Sequence, residues 1–369
     1  MKVICTQENL TKGLNIASHI AGKNITLPIL NNILIKIEDG KFNLISTNLD
    51  IGIKTLVRGK VDETGEITVP ARLFSEYIAL LTDGNVEMIK KENDLVISAG
   101  EQQTVIKGQG ADEYPIVPEI DGVEYFSLET KEFKEVLSQV VFSASYDDIR
   151  PELSGVLFLS QDNKLIFAAT DSYRLAERII SLGKENEKIG KIKKIVPLTV
   201  LQEILRILGD NQGKIEIGFN ENQIIFKFDE TVVISRLIEG NYPDYKEIIP
   251  SEHRTKAMVD KNNLIKIIRT ASLFSKKGIN DILLEFNSKE KVLKVSAANM
   301  QLGENKATIG IESEGENNSV VFNYKYLLDG LQNMPSKKVI FELSSSDSPV
   351  VLKPEGIKDY LYLIMPIRR

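Results

Sequence analysis

One amphipathic helix can be read three times in this chain. Residues 8–18 (ENLTKGLNIAS), 131–141 (KEFKEVLSQVV) and 262–272 (NNLIKIIRTAS) align Leu10 with Phe133 and Leu264, Leu14 with Leu137 and Ile268, and Ala17 with Val140 and Ala271. Apolar residues at i, i+4 and i+7 form one face of a helix. A second pattern, two strand-like runs joined by a short polar turn, recurs at 31–53 (NNILIKIEDGKFNLISTNLDIGI), 153–176 (LSGVLFLSQDNKLIFAATDSYRLA) and 280–304 (NDILLEFNSKEKVLKVSAANMQLGE). It has the signature of a hairpin. A third, again helical, recurs at 69–81 (VPARLFSEYIALL), 196–208 (VPLTVLQEILRIL) and 322–334 (FNYKYLLDGLQNM), with Pro70 and Pro197 placed where a helix start tolerates proline. Finally EYPIVPEI (113–120) is echoed by NYPDYKEIIP (241–250). Four elements in one order, at a period near 125 residues, constrain the fold more than any single motif. The expectation is an α+β chain of three homologous domains near 1–122, 123–252 and 253–369, each with two helices and about eight strands. The Pro-bearing stretches 114–126 and 242–256 would be the linkers. A single large mixed domain would have to produce this ordered repetition by accident.

Composition narrows the setting. The start, MKVICTQENL, lacks an apolar signal core, and no run of about 18 apolar residues could span a membrane. Cys5 is the only cysteine, which leaves no disulfide framework and no thiolate metal cluster. These features point to the cytoplasm, with no membrane partner. The net charge of −6 argues mildly against a nucleic-acid partner unless a local positive face exists.

Catalytic signatures are missing. The chain has no P-loop, no G-x-G-x-x-G, no H-E-x-x-H and no G-x-S-x-G. His19 and His253 fall in different repeats without a ligand set around either, and read as surface or capping residues. Asp147-Asp148 is a poor metal pair, because adjacent side chains diverge on a helix and face opposite ways on a strand. The stretch AATDSYRLA (168–176) is more tempting, since Asp171, Ser172 and Tyr173 could serve a hydrolase. A serine nucleophile needs a base beside it, and the segment supplies neither His nor Lys. The matching residues of the first repeat, Ser46-Thr47-Asn48-Leu49-Asp50, are polar too, so part of this polarity is a strand exit satisfying its own backbone. What distinguishes the middle repeat is Ser172-Tyr173-Arg174-Leu175, a mixture suited to binding.

Positive charge gathers on the repeated helices. Residues 259–277 carry Lys261, Lys266, Arg269, Lys276 and Lys277 against one acid, Asp260; other helices add Lys12, Arg72, Lys134, Arg206 and Lys325. Solvated faces would explain such residues singly. Recurrence on equivalent helices suggests a shared surface that could face phosphates without reading sequence.

Five segments carry a resemblance: TLPILNNILIKI (26–37), VPAR (69–72), ATDSYRLA (169–176), EGNYPDY (239–245) and LIMPIRR (363–369). Together, and over essentially the whole chain, they resemble the bacterial DNA polymerase III β subunit family, the sliding clamps. The resemblance implies a head-to-tail homodimer, a six-domain ring around double-stranded DNA with helices lining the hole. It implies no catalysis of its own and no cofactor or metal. The implied partners are the polymerase III alpha subunit, the clamp loader delta subunit and other proteins bearing clamp-binding peptides. Their cleft, between the second and third domains, would use Leu153, Thr170, Ser172, Tyr173, Arg174, Leu175, Pro243, Ile248, Leu363, Met365 and Pro366. DNA contacts would come from Lys23, Arg72 and Arg150, joined by Lys266 and Arg269 of the basic helix. At the subunit interface Ile106 would meet Leu273 and Phe274 of the other chain. The sequence departs from the family's pattern at Tyr173, where His is usual, at Glu247, where a basic residue often stands, and in ending Arg368-Arg369. The competing readings are the hydrolase and a monomeric scaffold that binds proteins but never DNA.

Overall fold

Asp-Gly and Asp-Asn turns set the hairpins. Asp39 and Gly40 have φ of +51° and +73°, and Asp162 and Asn163 have +50° and +57°. These left-handed pairs suit residues of this type and match the twist of the strands they join. The computed structural model describes residues 1–22, 26–82, 84–117, 123–147, 149–183, 190–209 and 212–368.

In the first repeat the order is β1 (Lys2–Thr6), α1 (Gln7–Ala17), β2 (Asn32–Glu38), β3 (Lys41–Thr47), β4 (Ile51–Val57), β5 (Gly59–Glu63), β6 (Gly65–Pro70), α2 (Ala71–Leu80), β7 (Asn85–Lys91), β8 (Asp94–Ala99) and β9 (Gln102–Lys107). The second has β10 (Tyr125–Glu129), α3 (Thr130–Val140), β11 (Gly155–Gln161), β12 (Lys164–Thr170), β13 (Arg174–Ser181), β14 (Lys193–Pro197), α4 (Leu198–Leu208), β15 (Lys214–Phe219), β16 (Gln223–Phe228) and β17 (Thr231–Arg236). The third has β18 (Thr255–Asp260), α5 (Lys261–Ser272), β19 (Asp281–Asn287), β20 (Val292–Asn299), β21 (Gly303–Gly310), β22 (Glu312–Gly315), β23 (Asn318–Asn323), α6 (Tyr324–Asn333), β24 (Lys338–Leu343), β25 (Val350–Pro354) and β26 (Tyr360–Ile364). Among the described residues each repeat thus holds two α-helices and eight or nine strands, the α+β pattern that the periodicity implied.

The aligned helix positions behave alike. Leu10, Leu14, Ala17, Phe133, Leu137, Val140, Leu264, Ile268 and Ala271 are all buried. Burying each large side chain stabilises by about 1.5–3 kcal/mol, so these stripes dock the helices on the sheets. Two starts share a cap: the Thr6 side chain accepts from Asn9 N at 3.2 Å, and the Asp260 side chain from Asn263 N at 2.8 Å.

The strands pair across the repeats. An eight-stranded sheet has the order β10-β15-β16-β17-β4-β3-β2-β6, and a nine-stranded one β14-β11-β12-β13-β26-β25-β24-β18-β22. The five-stranded β5-β1-β7-β8-β9 and four-stranded β21-β20-β19-β23 sheets complete the set. Two compact units result: Met1–Phe133 with Glu203–Leu237, and Lys134–Gln202 with Ile238–Arg369. The middle repeat gives β10 and β15 to β17 to the first unit and β11 to β14 to the second. Compactness therefore follows the shared sheets and cuts through the repeat seen in sequence. Among the described residues no helix is long and apolar enough to cross a membrane.

Candidate functional site: an apolar cluster beside a polar turn

The polar run Thr170–Arg174 links β12 to β13. Thr170 Oγ1 donates to Arg174 O at 2.7 Å and accepts from Ser172 N at 3.2 Å. Asp171 Oδ1 accepts from the amides of Tyr173 (2.9 Å) and Arg174 (3.0 Å), while Ser172 sits at φ +76°. The first repeat builds the same turn. Thr47 Oγ1 donates to Ile51 O (2.9 Å) and accepts from Leu49 N (3.0 Å). Asn48 Oδ1 accepts from Asp50 N (3.1 Å) and Ile51 N (2.8 Å), and Leu49 has φ +78°. Thr170 and Asp171 are thus occupied by turn backbone, as Thr47 and Asn48 are. Ser172 Oγ accepts from Arg150 Nη1 at 3.2 Å. A guanidinium cannot take up a proton, so this contact provides no base for a nucleophile.

Past the turn, β13 pairs antiparallel with β26, with Leu175 opposite Leu363, and Met365 N donates to Tyr173 O at 2.8 Å. Side chains alternate along these strands. On one face Leu175 and Leu363 join Leu153, Leu157, Ala168, Ile195, Tyr242, Tyr245 and Val351 in a single apolar cluster, with Met365 partly buried against it. Of the other residues expected here, Ser172, Tyr173 and Ile248 are exposed and Pro243 and Pro366 half-buried, while it is Ile249, the neighbour of Ile248, that packs against the cluster. Tyr245 Oη donates to buried Glu177, and burial pushes its hydroxyl far above the ordinary range. Tyr242, Tyr245 and Val351 were not picked out from sequence. The paired aromatics of EGNYPDY were the available signal for the first two.

Arg174 turns to the other face. Its side chain is only 9 % exposed, with Nε 2.9 Å from Asp171 Oδ2 and Nη1 2.6 Å from Asp329 Oδ2. The guanidinium lies 4.7 Å from the Tyr326 ring centroid and 5.7 Å from that of Phe142. Burial works against its charge, yet Tyr362, Asp329 and Asp171 outweigh it and hold its pKa above the usual arginine value. Tyr173 is 61 % exposed, and its ring stacks on Tyr326 with centroids 6.3 Å apart.

The junction of the first two repeats carries the same backbone plan with a different filling. Arg236 N donates to Asp50 O at 3.1 Å, as Met365 N does to Tyr173 O. Leu34, Ile45 and Tyr114 cluster there, with Val117 packed against them. Gly52 stands where the middle repeat has Leu175, and a Cβ on it would meet Val117 Cγ1 at 2.8 Å. The chain's own Val117 takes up that space.

Three sequence families, described as the DNA polymerase III beta subunit N-terminal, central and C-terminal domains, match residues 1–118, 127–244 and 246–368. The chain belongs to the DNA polymerase III beta subunit family. A beta sliding clamp from Staphylococcus aureus is 32% identical over 355 residues, covering 93% of each chain. One from Synechocystis is 29% identical over 388 residues, covering 100% of this chain and 99% of that one. Among solved structures, the Bacillus subtilis DNA polymerase sliding clamp superposes with a TM-score of 0.94 at 27% identity, covering 100% of this chain and 99% of that one. The Thermotoga maritima DNA polymerase III beta subunit gives 0.92 at 26% identity, with the same coverage.

The cationic residues of this family member divide into two groups. Lys12 pairs with Glu8 at 2.6 Å, and Arg206 reaches Glu203 and the carbonyls of Asn15 and Ile16. Lys261 Nζ donates to Met334 O. Exposed Arg72 pairs with Glu76 at 2.7 Å. Lys266 and Arg269 are exposed on α5, and among the described residues neither has an ion-pair partner. Arg150, expected to contact DNA, donates to Ser172 Oγ and pairs with Glu152 at 3.1 Å. Lys23 and Asp148 lie outside the described residues. His19 is exposed at the surface, as expected, with its Nδ1 2.8 Å from buried Glu203. Asp147 accepts from Ile149 N within its loop.

The interface expectation needs one correction. Ile106, at 3 % exposed, belongs to the core of the first repeat, and β9 turns its neighbour Val105 outward at 51 %. Strand alternation makes one of the two point in, and the sequence Val-Ile does not say which. Leu273 is 70 % exposed and Phe274 half-buried just past α5. β9 and β21 are edge strands of their sheets.

Proposed function

We propose that the protein works as a DNA sliding clamp: a cytoplasmic, head-to-tail homodimeric ring that encircles double-stranded DNA independently of sequence and performs no catalysis itself. Three domains near 1–122, 123–252 and 253–369 would supply half of the ring. The match of all three family domains in order along one chain carries this reading. Lys266, Arg269, Arg72, Lys23 and Arg150 would meet phosphates. Val105, Leu273 and Phe274 would close the ring along β9 and β21, both of which offer unpaired backbone at a sheet edge. The polymerase III alpha subunit, the clamp loader delta subunit and other partners would dock short peptides on the cleft of Leu153, Leu175, Leu363 and Met365. Thr170 shapes its turn, and Ser172, Tyr173, Pro243, Ile248 and Pro366 rim it. A hydrolase at Asp171, Ser172 and Tyr173 is disfavoured because Ser172 Oγ is bonded by Arg150, which cannot act as a base.

Topology gives the test. After loading by a clamp loader, the protein should stay on nicked circular DNA through gel filtration and leave when the DNA is linearised. Equal retention on linear and circular DNA would refute encirclement.

A further inference from the structure

We infer that Asp329, on α6, is a positioning residue for the peptide cleft although it lies on the opposite face of the sheet. The inference rests on the reading of the cleft given above. Along β26, Leu363 and Met365 join the apolar cluster, whereas Tyr362 faces α6, donating to Tyr326 O at 2.7 Å and packing its ring against Gly330. Arg174 shares that second face, where Asp329 holds its Nη1 at 2.6 Å.

From Asp329 a continuous set of contacts returns to the cleft. Arg174 Nε donates to Asp171 Oδ2 at 2.9 Å, and the other oxygen of Asp171 fixes the amides of Tyr173 and Arg174. The carbonyl of Tyr173 in turn receives Met365 N at 2.8 Å, which sets where Met365 leaves β26. Tyr326, one turn before Asp329 on α6, underlies both the guanidinium and the Tyr173 ring. The second face of the sheet therefore holds the rim of the first. Without Asp329 the guanidinium keeps one carboxylate and is drawn off the geometry that aligns Asp171. The turn then loosens, and Tyr173 and Met365 no longer present a fixed rim.

The chain has no tryptophan, so a tryptophan-labelled synthetic peptide copied from the clamp-binding segment of the replicative polymerase can be titrated by its own fluorescence. Asp329→Asn should raise Kd about tenfold, the effect of losing one charge-assisted hydrogen bond behind the rim. Asp329→Glu, which keeps the charge, should recover to within about threefold of the parent. Arg174→Gln, which also removes the tie to Asp171, should weaken binding at least as much as Asp329→Asn, and adding Asp329→Asn to it should cost nothing further, because Asp329 acts through Arg174. Without peptide, Asp329→Asn should speed amide hydrogen exchange across 169–176, a readout independent of any ligand. The carboxylate is 45 % exposed and Asn is its isostere, so the fold should survive the change. Parent-like Kd and exchange in Asp329→Asn, equal weakness in the Asn and Glu variants, or full additivity with Arg174→Gln would each overturn the inference. Met365→Ala serves as reference. If it too binds like the parent, the cleft reading itself fails; if it weakens binding while Asp329→Asn does not, only the positioning role fails.

Discussion

Truncating Met365 to alanine probes the cleft most directly. The change removes the thioether sulfur and two carbons while leaving the backbone N–H that donates to Tyr173 O, so the register of the rim is kept. Full burial of such a group is worth about 2–2.5 kcal/mol at roughly 0.8 kcal/mol per methylene-sized unit. Met365 is only partly buried in the free chain, packed against the cluster around Leu363. About half of that value, roughly 1 kcal/mol, should therefore appear as lost stability. The rest, about 1–1.5 kcal/mol, is realised only when a ligand covers the side chain, and it corresponds to roughly tenfold in Kd. Met365→Leu, nearly equal in volume, should stay within about threefold. Fluorescence titration of the tryptophan-labelled peptide, with thermal melting in parallel, separates the two shares. A parent-like Kd for Met365→Ala, with the fold intact, would show that the peptide anchors elsewhere.

Replacing Leu273 and Phe274 together by alanine should shift the dimer toward monomer at micromolar concentration with unchanged circular dichroism, since closing a ring uses the interface twice; a fully dimeric double variant in sedimentation would move the interface elsewhere. Burial pushes the Cys5 thiol up to about 12, above the ordinary value, so the folded state holds its proton where the unfolded chain ionises. Stability from this group is intact below about pH 9 and is lost as pH rises toward 12. Denaturant titrations should therefore show a shallower alkaline decline in Cys5→Ala, and a thiol reagent at pH 8 should leave the native protein unlabelled.

Much of the fold was legible because amphipathic helices and two-residue hairpin turns are local signals. Leu10, Phe133 and Leu264 reveal themselves by spacing alone, and Asp162-Asn163 by turn chemistry. Pairing of β13 with β26 joins segments nearly two hundred residues apart, and no periodicity encodes such a partner. The two compact units were invisible for the same reason. At the site, Leu175, Leu363 and Met365 were readable as apolar residues in recognisable segments. The inward turn of Arg174 was not, because its direction depends on Asp329 and Tyr326, which belong to a helix of another repeat. Val105 and Ile106 show the limit of alternation: two β-branched neighbours give no hint of which faces the core.

Gly52 and Val117 bear on how many partners a chain can serve. Its two junctions share one backbone design, but at the first Val117 packs where the second has Leu175, and at the second Leu175 and Leu363 lie in an apolar cluster edged by partly buried Met365. If the cluster takes partner peptides as proposed, a chain so built would have a valence of one, and proteins that use the same kind of peptide would take turns on it. Exchange among them would then be governed by dissociation rates and local concentration, and simultaneous occupancy would require the second chain of the proposed ring.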